Sequence, residues 1–496
     1  MLHSHSSLSP LDAFKDLLRG QSLVERLRDG LIGEGRPIAS PFGTPPLLYA
    51  DYTASGRALR QIETFVLEHV LPVYANTHTE ASHCGGAMTR MREAARAEIA
   101  RIAGLDADSH VIFTGSGATG AVNRIVAGLN LCDRVARGEK VMVLIGPYEH
   151  HSNILPWRES GADVIEIAEA ASGGPESDAL DRALAQSAGA DLVIGAFAAA
   201  SNVTGIITDT DAVTRRLKRA GALAVWDYAA AAPYLPIDMG SGDAAKDAIV
   251  FSPHKFPGGP GASGLLMLRG GIGWREAPTA PGGGSVRFVS PWGHAYSDDI
   301  EAREEAGTPN VIGDIRAALA MLVKEAVGCD WIAMRDDDLR ERALSAWRTV
   351  PEIEILGQRQ GARALPIFSF RVRDPKGGYV HHQLFTRMLS DVHGIQARGG
   401  CACAGPYAHR LLGIDHAASD EIMEQLDAGR ELTRPGWVRL NLSYLLSDAQ
   451  AERLITSVAD LAKAAPALAR HYVSDPATAR FYPALACPNG RQSDQG

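Results

Sequence analysis

The chain has 496 residues, 46% hydrophobic and 22% charged, with a net charge of −9 mixed along its length, which is the make-up of an ordinary globular protein of two or three domains. No basic block points to nucleic acid or an anionic membrane as partner, and no apolar run reaches the roughly 18 residues of a membrane span. Six cysteines, Cys84, Cys132, Cys329, Cys401, Cys403 and Cys487, are too sparse for a disulfide framework, and Cys401 and Cys403 have no second ligand pair at zinc spacing, so no metal site is expected.

Amphipathic spacing over residues 10–30 predicts a helix ended near Gly30, inside an N-terminal helical segment 1–44. The opening "MLHSHSSLSPLDAF" lacks a basic stretch followed by an apolar one, so no signal peptide is expected, and a reducing cytoplasm is the expected compartment. "PLLYADYTASGR" (46–57) predicts a short strand entering a turn, and "AMTRMREAARAEIARIA" (87–103) a helix. Seven short apolar runs follow: 110–114, 140–146, 163–167, 191–197, 223–227, 248–252 and 264–268. Apolar throughout and separated by helical stretches, they read as strands buried on both faces of a mainly parallel sheet, in an α/β large domain over 45–325. A helical stretch near 311–350 leads out of it. "LPIFSFRV" (365–372), "GIQARG" (394–399) and "WVRLNLS" (437–443) then alternate with helices near 380–391 and 447–464, predicting a smaller α+β domain over 326–473. The tail 474–496 is expected to be loosely held.

Chemistry-bearing residues gather at the predicted strand ends, where ligands bind in such sheets. "FTGSGATGAVN" (113–123) is a glycine-rich turn opening a helix, and the N–H groups of Gly117, Ala118 and Thr119 with the Thr119 hydroxyl suit a phosphate. In "GPYEHHSNILPW" (146–157), His150 could stack on an aromatic cofactor, although a single histidine is more often structural. In "AVWDYAAAAP" (224–233), Asp227 closes an apolar strand, a costly place for a carboxylate unless a cation such as a pyridinium pairs with it. "FSPHKFPGGPGASG" (251–264) sets Ser252, His254 and Lys255 ahead of a glycine loop. A lone lysine there is most often a solvated strand end; the alternative is a Schiff-base lysine. A phosphate turn, then Asp, then Ser-x-His-Lys is the order expected of a pyridoxal 5′-phosphate enzyme, in which Lys255 carries the cofactor and Asp227 keeps the ring nitrogen protonated.

On these residues the chain resembles the class V aminotransferases among fold type I pyridoxal-phosphate enzymes, and within them the cysteine desulfurase and selenocysteine lyase branch, over roughly residues 45–465. The resemblance implies that His150 stacks on the ring, that Asn202 of "SNVTG" lies by the ring hydroxyl, and that Thr119, Ser252 and His254 hold the phosphate. It implies that Thr308 of "EEAGTPN" reaches the phosphate of the other subunit, hence a homodimer, and that "YADYTASG" (49–56) and "YANTH" (74–78) line the entrance. One departure stands out: the family's usual glutamine three residues after the aspartate is Ala230 here.

"ARGGCACAGPYAHRLLGI" (397–414) carries Arg398 and Cys403 at the five-residue spacing of the desulfurase pattern. The twin Cys401 and the following "RLLGI" are similar to the N-terminal domain of molybdenum cofactor sulfurases, although no second large domain follows. By the same resemblance Arg439 of "WVRLNLSYLLSD" pairs with the substrate carboxylate. The activity so implied is conversion of L-cysteine to L-alanine, with a persulfide on Cys403 passed to an acceptor protein or small thiol. Two alternatives stay open: an epimerase, β-lyase or aminotransferase on the same site, and a low-turnover sulfur-relay protein.

Overall fold

The computed structural model describes residues 10–77 and 79–484. His78 of the entrance segment and Cys487 lie outside the described residues.

The expected helix over 10–30 is two helices, Pro10–Leu18 and Leu23–Asp29, parted where Gly20 and Ser22 take positive φ. A left-handed residue ends a right-handed helix, so the amphipathic pattern runs on across a break that periodicity cannot show. Strand β1 (Leu48–Tyr49) follows. The predicted helix over 87–103 is His83–Ile102, capped by the Ser82 side chain accepting from Gly85 N–H.

All seven apolar runs form strands of one central sheet: β2 (Ser109–Gly115), β3 (Val141–Ile145), β4 (Asp163–Glu166), β5 (Leu192–Ala198), β6 (Leu223–Asp227), β7 (Ala248–Phe251) and β8 (Gly264–Arg269). The order is β2-β8-β7-β6-β5-β3-β4. The strands from β4 to β7 run parallel, and β8 lies antiparallel between β2 and β7. Helices cover both faces, so β3 and β7 are buried at every position, whereas the edge strand β4 is partly exposed. The carboxyl ends of β2, β3, β5, β6 and β7 therefore open on one rim of the sheet.

A hairpin of β9 (Val286–Ser290) and β10 (Gly293–Tyr296) projects before the next helices. The single helical stretch expected over 311–350 is again two helices, Val311–Val327 and Cys329–Trp347, broken at Gly328 with φ +89°.

The second core is built on an antiparallel sheet of β11 (Ile353–Ile355), β12 (Ile367–Arg373), β13 (Tyr379–Val380), β15 (Arg398–Gly400) and β16 (Trp437–Asn441). "GIQARG" divides in two, because β14 (Ile395–Gln396) pairs in parallel with β1 rather than with its neighbours in this sheet. Leu48 and Ala50 are thereby buried with Trp347, Phe368 and Phe370 in that core. The helices His382–His393 and Asp448–Leu468 pack on it.

The expectation of a loose tail from residue 474 fails over 474–484. There β17 (Tyr472–Asp475) and β18 (Arg480–Pro483) form a hairpin against the helix His382–His393. Tyr472 is buried and its hydroxyl donates to Asp391 at 3.2 Å, while Asp475 closes the turn by accepting from Ala477 N–H and the Thr478 hydroxyl.

Candidate active site

A cavity of about 270 Å³ opens at the shared carboxyl-end rim of the sheet. Its first wall is the turn after β2. Gly117, with φ +65°, starts the helix Gly117–Gly128, and the Ala118 N–H donates to Ser252 Oγ at 2.8 Å. A side chain at Gly264 would put its Cβ 2.4 Å from Gly117 Cα, so two glycines let the start of β8 touch the turn backbone. The Thr119 hydroxyl lies 2.6 Å from that of Ser152. This helix N-terminus, lined with hydroxyls, has the donors that an anion needs.

The wall after β3 is pinned by a buried relay. Glu149 accepts from Ala198 N–H at the end of β5 (2.7 Å) and from Asn153 Nδ2 (2.6 Å), and Asn153 Oδ1 accepts from Trp157 Nε1 (3.0 Å). Burial pushes the Glu149 carboxyl up to about 8. The next residue, His150, faces the cavity, its Nδ1 accepting from Ser152 N–H. Burial, with Lys255 nearby, lowers its ring to about 3, so the imidazole is neutral near pH 7 and suited to stacking.

Opposite are Asp227, which ends β6, and Lys255, which follows β7. Asp227 is buried, accepts from Ala229 N–H at 2.7 Å and makes no ion pair among the described residues. Burial raises its carboxyl above the usual range. Burial lowers the Lys255 ammonium to about 8, with Asp227 pulling the other way. Gly56 and Gly259 let the backbone close tightly around this lysine, since a Cβ on Gly56 would sit 1.8 Å from Phe256 O.

The fourth wall comes from the second core. Asp51 joins two guanidiniums, accepting from Arg398 Nε at 3.0 Å and from Arg439 Nη2 at 3.2 Å. Arg439 is 4% exposed; its Nη1 donates to Asn202 O, and its Nε, like the Thr53 hydroxyl, is buried with no hydrogen-bond partner among the described residues. Cys403 closes this side on a tight turn, with Ala402 at φ +54° and Cys403 at +53°. Asn202 Nδ2 donates to Ala402 O (2.8 Å) and His151 N–H to Cys403 O (2.9 Å), while His151 Nε2 accepts from Gly405 N–H (2.9 Å).

Gly117, Ala118, Thr119, His150, Asn202, Asp227, Ser252, His254, Lys255, Arg398, Cys403 and Arg439 thus line one cavity, as does Ala230. Thr308 does not line it; it lies exposed on the loop before the helix Val311–Val327. Sequence reasoning missed the parts of Asp51, Thr53, Glu149 and His151. Asp51 and Thr53 stood inside "YADYTASG", and the doubled histidine of "EHHSN" was the one signal for His151.

The aminotransferase class-V family model matches residues 48–418. Probable cysteine desulfurases of Vibrio cholerae and Pyrococcus abyssi are each 29% identical, over 73% and 74% of this chain and 85% and 88% of their own. In fold, the chain is similar to the apo cysteine desulfurase of Thermococcus onnurineus (TM-score 0.72, 23% identity, 88% of this chain and 98% of that one). It is also similar to the cysteine desulfurase CsdA of Escherichia coli (TM-score 0.64, 22% identity, 84% and 94%). Because the family model matches residues 48–418, most of its length, the chain belongs to the class-V aminotransferase family.

Proposed function

We propose that the protein is a homodimeric pyridoxal-phosphate cysteine desulfurase that converts L-cysteine to L-alanine and keeps the sulfur on Cys403. The observation that carries this reading is the sharing of one cavity by Cys403, Lys255 and Arg439, whose buried Nε has no hydrogen-bond partner among the described residues.

The residues fit the cofactor. The Gly117 turn, which tolerates no side chain at Gly264, with the Ser252 and Thr119 hydroxyls, would hold its phosphate. Asp227, buried with no ion pair among the described residues, would take its ring nitrogen, and neutral His150 its ring face. When bound, the cofactor supplies an electron sink for the substrate carbon. The chain's own groups do the rest. Arg439, with Arg398, orients the substrate carboxylate. Lys255, whose ammonium is lowered to about 8, can hold or release a proton at Nζ near neutral pH. Cys403 Sγ takes the substrate sulfur, so that cysteine and the Cys403 thiol become alanine and the Cys403 persulfide. The thiols of the described cysteines are all free.

The test is alanine and sulfide formation from L-cysteine with a thiol reductant. Wild type should give equal amounts of both, and Cys403→Ala should lose at least about a hundredfold in rate. Full activity in Cys403→Ala on the enzyme's best substrate would instead favour an epimerase, β-lyase or aminotransferase. Ala230, standing where the family has glutamine, gives that second reading its foothold.

A further inference from the structure

The two cysteines of "GCAC" face different spaces. Cys403 lines the cavity with Lys255, whereas Cys401 lines a second cavity of about 170 Å³ between the helices Gly405–Leu412 and His416–Asp427. His409 braces its wall, with Nδ1 at 2.8 Å from Gly405 O and Nε2 at 3.0 Å from Ser419 Oγ. Arg434 also lines it, holds Glu431 at 2.9 Å and interacts electrostatically with Cys401. Ala402 alone separates the two thiols along the chain, so their Cα atoms are at most about 7 Å apart, within reach of sulfur–sulfur exchange.

The turn between them is suited to movement. Left-handed backbone is unfavourable at a residue other than glycine, and here two such residues adjoin. Three hydrogen bonds hold the turn: Asn202 Nδ2 donates to Ala402 O, His151 N–H to Cys403 O and, across the turn itself, Ala404 N–H to Cys401 O at 3.2 Å. Releasing them lets the backbone relax toward right-handed angles and swings Cys403 relative to Cys401.

We propose that Cys401 is a relay thiol: sulfur won at Cys403, the more exposed of the two thiols, passes to the half-buried Cys401, which holds it in the second cavity for an acceptor thiol. This rests on the desulfurase reading above. In the step, the Cys401 thiolate attacks the outer sulfur of the Cys403 persulfide. A new S–S bond forms on Cys401, the bond to Cys403 Sγ breaks, and Cys403 leaves as a thiolate that takes up the proton given up by Cys401. No net oxidation or reduction occurs, and no further reagent is needed. Arg434 supplies the positive charge beside the attacking sulfur, and Cys403 is freed for the next substrate.

The test is a pulse of L-cysteine on the cofactor-loaded enzyme, rapid alkylation, and fragment-ion mapping of the tryptic peptide Gly399–Arg410, which holds both cysteines. In wild type, the extra sulfur should appear first on Cys403 and then on Cys401. In Cys401→Ala it should stay on Cys403, and its discharge to added dithiothreitol should slow about tenfold. In Cys403→Ala neither position should carry it. The relay is overturned if wild type carries sulfur on Cys403 and never on Cys401, or if Cys401 is loaded in Cys403→Ala. Absence of both alanine and any persulfide in wild type would mark failure of the desulfurase reading itself.

Discussion

Lys255 stands where the protein makes a charge costly, and the cost is chemically useful. A neutral amine attacks an aldehyde and an ammonium does not, so an ammonium lowered to about 8 would make Lys255, in its proposed role, available as a nucleophile near physiological pH. The rate at which cofactor-free protein captures pyridoxal phosphate, followed by the rise in visible absorption, should climb with pH and level off above about 8. Asp227 raises the Lys255 value, so Asp227→Asn should move the midpoint to lower pH; a midpoint near 10.5 in wild type would contradict the buried setting. Both residues were legible in the sequence because each ends its own apolar run, and their order along the chain carries the signal. Asp51 was not legible as a clamp. Its partners Arg398 and Arg439 lie 347 and 388 residues away, a separation that no local pattern spans.

At the scale of elements, what reads well is what packing imposes locally. The seven central strands show because burial on both faces demands unbroken apolar runs. The breaks at Ser22 and Gly328 do not show, because the apolar stripe continues on either side of each. The β17–β18 hairpin was missed because its anchor, the bond from Tyr472 to Asp391, is again non-local. Close backbone contacts between elements are invisible for the same reason. Gly264 begins β8 against the Gly117 turn, and a methyl there would stand 2.4 Å from Gly117 Cα and 2.5 Å from Gly117 N and O. Backbone on both sides cannot yield as a flexible side chain would. Gly264→Ala should therefore cost about 1–3 kcal/mol in thermal or denaturant unfolding, the usual range for an overpacked core. It should also weaken cofactor binding more than Gly271→Ala, where the added Cβ meets nothing within 4 Å and only the left-handed backbone, φ +78°, is strained. Equal losses of cofactor affinity in the two variants would show that the turn is not a tight cradle.

At the scale of the whole molecule, the β9–β10 hairpin exposes Trp292 at 92%, Phe288 at 63% and Val289 at 62%, three large apolar side chains on one short element. The hairpin is firmly based: Ser297 N–H donates to Ser285 O at 2.9 Å, and Gly307 N–H donates to Gly283 O at 2.7 Å. The second of these bonds ties the root of the hairpin to the loop of Thr308, the residue expected to reach the other subunit's phosphate. A partner surface that covered both the hairpin and its root would also lie beside Thr308, and would account for the exposed aromatics and for a threonine that does not line its own chain's cavity. Burying such a side chain contributes about 2 kcal/mol and each substitution acts in both protomers, so Trp292→Ser combined with Phe288→Ser should weaken the proposed homodimer by up to about 8 kcal/mol, on the order of a millionfold in Kd. Sedimentation velocity over a concentration series reads this directly, and cofactor retention should fall as the monomer fraction grows. A wild-type monomer, or a double variant that dimerises as tightly as wild type, would show that the hairpin serves some other contact and that each chain completes its phosphate site alone.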